Sequence, residues 1–300
     1  MNATFKAALW MIGAIVSFTL MAIAGRAVSH AADTFEIMLY RSLFGLIAVA
    51  IFLTATRKWR LVKTPVIGLH ITRNILHFTG QNLWFLAITI APLALVFSME
   101  FTAPLWVLVL SPLFLGETMT RTRGFCAALG FLGILIVARP DPADINMGFV
   151  AAAVAAIFFA GTHICTKRLT RTEATAGIMF WITALQLVLG LVTAGYDGDI
   201  LLPDAQTAPW LALIGLCGLV AHTCITTALS IAPASVVVPF DFARLPTIAI
   251  VAMVLYAEPL DPWILLGAAL IFAANYLNIM TETRKRVRKP GYSSVRKDVL

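Results

Sequence analysis

The chain has 300 residues, 60% of them hydrophobic and 12% charged, with a formal net charge of +7 and a mean hydropathy of +0.90. A soluble domain carries roughly 45–50% apolar and ~25% charged residues, so this composition excludes a soluble globular protein. The basic excess lies in short connections and in the tail TRKRVRKPGYSSVRK, not on an aromatic-interleaved face. That placement argues against nucleic acid and for a lipid bilayer as the partner.

Apolar runs able to cross a ~30 Å hydrocarbon layer as helices fall near 7–28, 36–54, 66–89, 93–115, 123–139, 147–166, 174–195, 208–230, 235–256 and 262–280. The first run exceeds the ~7–15-residue apolar core of a signal peptide and reads as a spanning helix. The third is the least apolar, carrying Arg73, Asn74, His77, Gln81 and Asn82, and is expected to face protein or water. Spans 4 and 9 contain Pro104, Pro112, Pro239 and Pro246. Proline frees a backbone carbonyl, which a membrane helix tolerates beside a cavity or a neighbouring helix. Cys126, Cys165, Cys217 and Cys224 all sit in apolar runs without CxxC spacing, and read as reduced packing residues. The His, Cys and Glu residues have no metal-ligand spacing, so neither a metal nor a cofactor is expected.

Ten spans with a cytoplasmic N-terminus put most of the 22 lysines and arginines in inside connections and the tail. The outside connections then hold Asp33, Asp141, Asp144, Asp197, Asp199, Asp204 and Asp261. This is the separation that the positive-inside rule demands. It predicts a multi-pass protein of the bacterial inner membrane with both termini cytoplasmic.

Residues 90–101 read IAPLALVFSMEF, and 141 positions later residues 231–242 read IAPASVVVPFDF. The same register aligns Phe18 with Phe159, Arg26 with Lys167, Val96 with Val237, Glu100 with Asp241 and Glu117 with Glu258. Each half therefore holds five spans, and an odd number inserts the second half in the opposite sense. The predicted fold is an all-α polytopic membrane protein of ten helices in two inverted five-helix repeats, 7–138 and 148–280, followed by a basic cytoplasmic tail, 281–300. Inverted repeats are a recurring build of secondary transporters.

LFLGE at 113–117 and LYAEP at 255–259, each closing the fourth span of its half, together with the IAP openings, resemble the drug/metabolite transporter superfamily. The resemblance is to its EamA branch, with two tandem EamA domains, and spans nearly the whole chain apart from the tail. It implies ten helices around a central cavity and alternating access.

Arg41, Arg73, Glu100, Asp241 and Arg244 are ionisable residues inside spans, where a charge costs at least ~2.5–3.5 kcal/mol. Depth along each helix suggests the pairs Arg41–Glu100 and Arg73–Asp241, with Arg244 competing for Asp241 at i+3. Ion pairs that only hold helices in register are the alternative for Arg41 and Arg73. Glu100 and Asp241 are expected to face the cavity, where either can carry a proton and support proton coupling. On span 3, Arg73, His77, Gln81 and Trp84 share one helical face, and His222 is the repeat equivalent of Gln81. That stripe lines a cavity or makes interhelical hydrogen bonds.

Transport is the function expected. A membrane enzyme lacks any visible nucleophile or metal cluster, and a receptor would leave the inverted repeat unexplained. The EamA branch includes exporters of amino acids and other metabolites, and importers of riboflavin or S-adenosylmethionine. SMEFTAPLW at 98–106 and FDFARLP at 240–246 are more similar to the vitamin and nucleoside-type importers. Trp84, Phe101, Trp106, Phe240 and Phe242 suit a planar heteroaromatic solute, which makes riboflavin the expected small-molecule substrate.

Overall fold

A computed structural model describes residues 3–115, 119–138, 146–169, 172–196, 198–231, 240 and 243–288. All regular structure among them is helical: α1 Ala3–Val28, α2 Thr34–Ala55, α3 Ile67–Ile90, α4 Leu93–Glu100, α5 Ala103–Leu115, α6 Arg121–Ala138, α7 Met147–Leu169, α8 Thr175–Ala194, α9 Ala208–Ile231, α10 Arg244–Tyr256 and α11 Pro262–Arg288. Seven spans are long and apolar enough to cross a membrane by themselves, one of them combining α4 and α5. The remaining helices, α3, α6 and α10, bring the arrangement into agreement with ten spans. Each falls short for a local reason: α3 is polar, α6 opens on Arg121 and Arg123, and α10 has only 13 residues.

Local chemistry sets several boundaries. Asp33 and Glu36 form a reciprocal capping box at the start of α2, with bonds of 2.8 and 2.9 Å. Glu36 also accepts the Leu201 N–H at 2.6 Å, tying α2 to the connection ahead of α9. Pro92 separates α3 from α4, since it lacks the N–H needed to continue the helix.

The major packing partners all come from opposite repeats. Span 1 (α1) packs on span 8 (α9), and span 3 (α3) on span 6 (α7); these two pairs are images of each other in the repeat register. Span 2 packs on span 7 (α2 with α8), span 4 on span 9 (α4 with α10), and span 5 on span 10 (α6 with α11), and each of these pairs maps onto itself. A pseudo-two-fold axis between the halves explains the set. Close approaches confirm antiparallel crossings. A Cβ on Gly45 would meet Thr183 at 2.9 Å, while one on Gly190 would meet the Leu39 backbone at 2.8 Å. At the α6–α11 crossing, a Cβ on Gly133 would lie 2.7 Å from the Gly267 carbonyl oxygen, and one on Gly267 2.6 Å from that of Gly133. Small residues at such crossings let helix backbones touch, which in lipid replaces the hydrophobic drive available in water.

Candidate functional site

Span 4 is broken at its acid. α4 ends at Glu100, Phe101 and Thr102 form a turn, and α5 restarts at Ala103. Pro104 cannot donate to the Glu100 carbonyl four residues earlier. The buried Phe101 carbonyl accepts from Asn275 Nδ2 of α11 at 3.0 Å, and Thr102 Oγ1 donates to Met99 O at 2.6 Å. The interruption leaves Glu100 at the C-terminal end of α4, with its side chain on the opposite repeat. Its Oε1 lies 3.0 Å from Arg244 Nη2 of α10, and its Oε2 accepts the Trp84 indole N–H at 2.8 Å. The Arg244 guanidinium lies over three rings, 4.6 Å from Phe18, 5.0 Å from Phe101 and 5.3 Å from Phe97. This centre joins the halves.

A second centre lies between α2, α3, α8 and α9. It surrounds a small cavity of about 30 Å³, lined by Arg41, Arg73, His77, Thr183, Gln186 and His222, with Ile182 and Leu219 as apolar walls. Gln186 of α8 is fully buried and organises it. Its Oε1 accepts from Arg41 Nη1 at 3.1 Å, while its Nε2 lies 2.8 Å from His77 Nδ1 and 3.4 Å from Asn74 Oδ1. Arg73 Nε donates to Thr166 Oγ1 of α7 at 2.9 Å. Two aromatic rings flank the pocket: Phe18 meets His222 edge-on at 5.8 Å, and Phe159 lies 6.0 Å from His77. Phe18 therefore touches both centres, His222 on one side and Arg244 on the other.

Several sequence expectations change here. The Arg41–Glu100 pair does not form: Arg41 binds Gln186, and Glu100 binds Arg244. Depth along a helix is one coordinate, and neighbours are set by azimuth and packing; α2 packs on α8 and α9, whereas α4 packs on α7 and α10. Arg41 and Arg73, expected in separate ion pairs, line one pocket. The stripe on α3 splits. Arg73 and His77 enter the pocket, Trp84 serves Glu100, and Gln81 is buried at 5% exposure away from the pocket lining. Phe101 packs under Arg244, and Trp106 packs edge-on against Phe131 at 4.9 Å. Asp241 and Phe242 lie outside the described residues, as does the Arg73–Asp241 pairing. The four cysteines are free and buried.

Two comparisons decide the family. The EamA-like transporter family model matches residues 5–139 and again 146–280, and a riboflavin transporter of Brucella anthropi is 32% identical over 220 residues, covering 72% of this chain and 78% of that one. The chain belongs to the EamA-like transporter family. An S-adenosylmethionine uptake transporter of Rickettsia felis is 27% identical over 280 residues, 93% of this chain and 94% of that one. A riboflavin transporter of Vibrio cholerae is 25% identical over 289 residues, 95% and 96% of the two chains. A crystal structure at 17% identity superposes with a TM-score of 0.63, covering 94% of this chain and 99% of that one, which establishes a shared fold.

For an EamA-like transporter the end of the bundle near Arg26 is as informative as the pocket. Arg26 closes α1 by donating to Ile88 O at 2.6 Å and Ala91 O at 2.5 Å, and it pairs with Glu258 of the other repeat. Its guanidinium lies 4.6 Å from the Tyr256 ring centroid. The other oxygen of Glu258 accepts the Leu93 N–H at 2.9 Å, at the start of α4. Sequence reasoning assigned Glu258 to closing its own helix; it closes a helix of the opposite repeat instead. Glu117, its repeat image, lies outside the described residues. Gln186 was missed altogether, although an amide inside the apolar run TALQLVLGLV was a readable signal.

Proposed function

We propose that this EamA-like transporter is a secondary carrier that takes up riboflavin across the bacterial inner membrane by alternating access. The observation that carries the reading is a polar pocket walled by both repeats and flanked by Phe18 and Phe159. A pyrimidinedione edge presents carbonyl oxygens and an N–H, which suit the Gln186 amide and the imidazoles of His77 and His222, while flanking rings receive the flat heterocycle. The 32% identity to a protein named as a riboflavin transporter supports the same substrate. In this reading the N- and C-termini are cytoplasmic and the Arg26–Glu258 latch closes the outer side.

Rescue of a riboflavin-auxotrophic bacterium on limiting vitamin is the test. Growth that depends on the expressed chain supports the reading, and no rescue with confirmed membrane expression rejects it. S-adenosylmethionine uptake is the second reading, favoured by relatives that cover 93% of this chain; radiolabelled uptake into the same cells separates the two. Proton coupling falls on Glu100, whose ion pair with Arg244 weakens when the acid is protonated. Uptake into proteoliposomes driven by an imposed pH gradient, and lost in Glu100→Gln, checks that assignment.

A further inference from the structure

Among the described residues the two centres differ in their ion pairs. Glu100 pairs with Arg244, whereas no carboxylate among those residues lines the pocket that holds Arg41 and Arg73. Both of these side chains are more than nine-tenths buried, at 8% and 5% exposure. Each spends one N–H on a neutral anchor, Gln186 Oε1 for Arg41 and Thr166 Oγ1 for Arg73. Each also retains a buried nitrogen with no hydrogen-bond partner among the described residues, Nε of Arg41 and Nη1 of Arg73. A guanidinium cannot shed its proton to escape this cost, so two permanent charges face one cavity with donors unsatisfied. Gly218 of α9 keeps the approach narrow, since a Cβ there would lie 3.2 Å from Arg41 Nε.

We infer that Arg41 and Arg73 form an oxyanion subsite that takes a carboxylate or phosphate group. The chemistry follows from the donor set. Guanidinium forks match the spacing of carboxylate and phosphate oxygens, and the unused N–H groups come from two different helices, so an oxyanion between them joins α2 to α3. The Gln186 amide fixes one arginine through a neutral contact and so leaves its charge for the ligand. The inference holds whichever metabolite is carried. The oxyanion belongs either to the metabolite itself or to a free inorganic anion moved with it.

Equilibrium dialysis of the purified full chain in detergent, with ³²P-phosphate and ¹⁴C-acetate as probes, tests the site. At least one probe is expected to bind saturably, one per chain, and to weaken about tenfold to a hundredfold in Arg41→Gln or Arg73→Gln. Arg41→Lys is expected to retain part of the affinity, because the charge survives while the fork is lost. Should the glutamine variants fail to fold, Thr183→Asp places an acid on the pocket wall and is expected to abolish binding in a folded protein. Binding by neither probe, or binding unaltered in the folded variants, overturns the inference. The source is read in a second arm. Displacement of phosphate by riboflavin 5′-phosphate but not by riboflavin assigns the oxyanion to the metabolite, and simultaneous binding of phosphate and riboflavin assigns it to a free anion; both support the subsite. Failure of riboflavin rescue with phosphate or acetate bound at Arg41 and Arg73 rejects the vitamin and leaves the subsite standing.

Discussion

Glu258→Gln isolates the latch that joins the repeats. The substitution keeps the side-chain shape and one acceptor, and removes the charge that faces Arg26 and the Leu93 N–H. The two side chains are 14% and 17% exposed, so the pair is shielded from water without being dry. A hydrogen bond to a charged group contributes about 1.5–3 kcal/mol, and a carboxylate at a helix N-terminus about 0.3–1 kcal/mol. Part of this is recovered by the neutral amide, which leaves a net loss of about 1–3 kcal/mol. If the latch exists only in the state described, that loss shifts the equilibrium between conformations roughly 5- to 150-fold toward the opposite one. Val96, fully buried and one turn into α4 from Leu93, reports the shift. With the four native cysteines replaced, Val96→Cys is expected to react with an external impermeant maleimide much faster in the Glu258→Gln background. Unchanged labelling together with a lowered melting temperature would show that the pair only stabilises the fold, and the gating argument would fail.

Three further outcomes follow from local geometry. Gly267→Ala forces a methyl against the Gly133 carbonyl at 2.6 Å; overpacking of this kind costs about 1–3 kcal/mol, to be read as a lower melting temperature in detergent. Ala257, at the end of α10, adopts φ +53°, so Ala257→Gly is expected to stabilise by about 1 kcal/mol in the same measurement, and a loss of stability would contradict the strain assignment. Asp204, ahead of α9, accepts from the Thr207 backbone and hydroxyl and from the Gln206 backbone, and these donors, the Thr207 backbone first, hold its carboxyl below the ordinary range. A depressed folded-state value stabilises above the unfolded value of about 3.9 and loses that contribution as pH falls through the folded one. The melting-temperature gap between wild type and Asp204→Asn is therefore expected at neutral pH and should close in acid below that window.

The repeat was legible because one structural unit is used twice, so the IAP opening, the acid, and the Arg or Lys and Glu residues recur at fixed register in the sequence. Hydropathy located the strongly apolar helices for the same reason that lipid accepts them. It ranked α3 low, and burial explains why: Arg73, Asn74, His77 and Gln81 are all buried inside the protein. Partner identity was not legible. Arg41 and Glu100 lie at comparable depth, yet which helix each one faces depends on the crossings 2–7 and 4–9, which no single-chain periodicity encodes. The pocket was missed as a unit because its organising residue, Gln186, is uncharged and has only Thr183 as a polar neighbour from its own helix in the lining.

The distribution of symmetric and asymmetric residues separates gating from recognition. Arg26 and Glu258 have chemical equivalents in the repeat register, Lys167 and Glu117, and Glu100 has Asp241. Arg41, Arg73 and Arg244 do not: their equivalents are Ile182, Ile214 and Ala103. A carrier with two exchanging halves needs a latch on each side, so latch residues are duplicated, whereas one cavity near the axis needs its cations only once. If Lys167 and Glu117 latch the opposite face in the alternative state, weakening them must favour the state described. Glu117→Gln is then expected to slow the labelling of Val96→Cys when added to Glu258→Gln, returning it toward the wild-type rate. Two substitutions that each weaken a latch would cancel in conformation while adding in lost stability. Faster labelling in the double variant would mean that the repeat symmetry governs packing alone and that the two faces open by unrelated means.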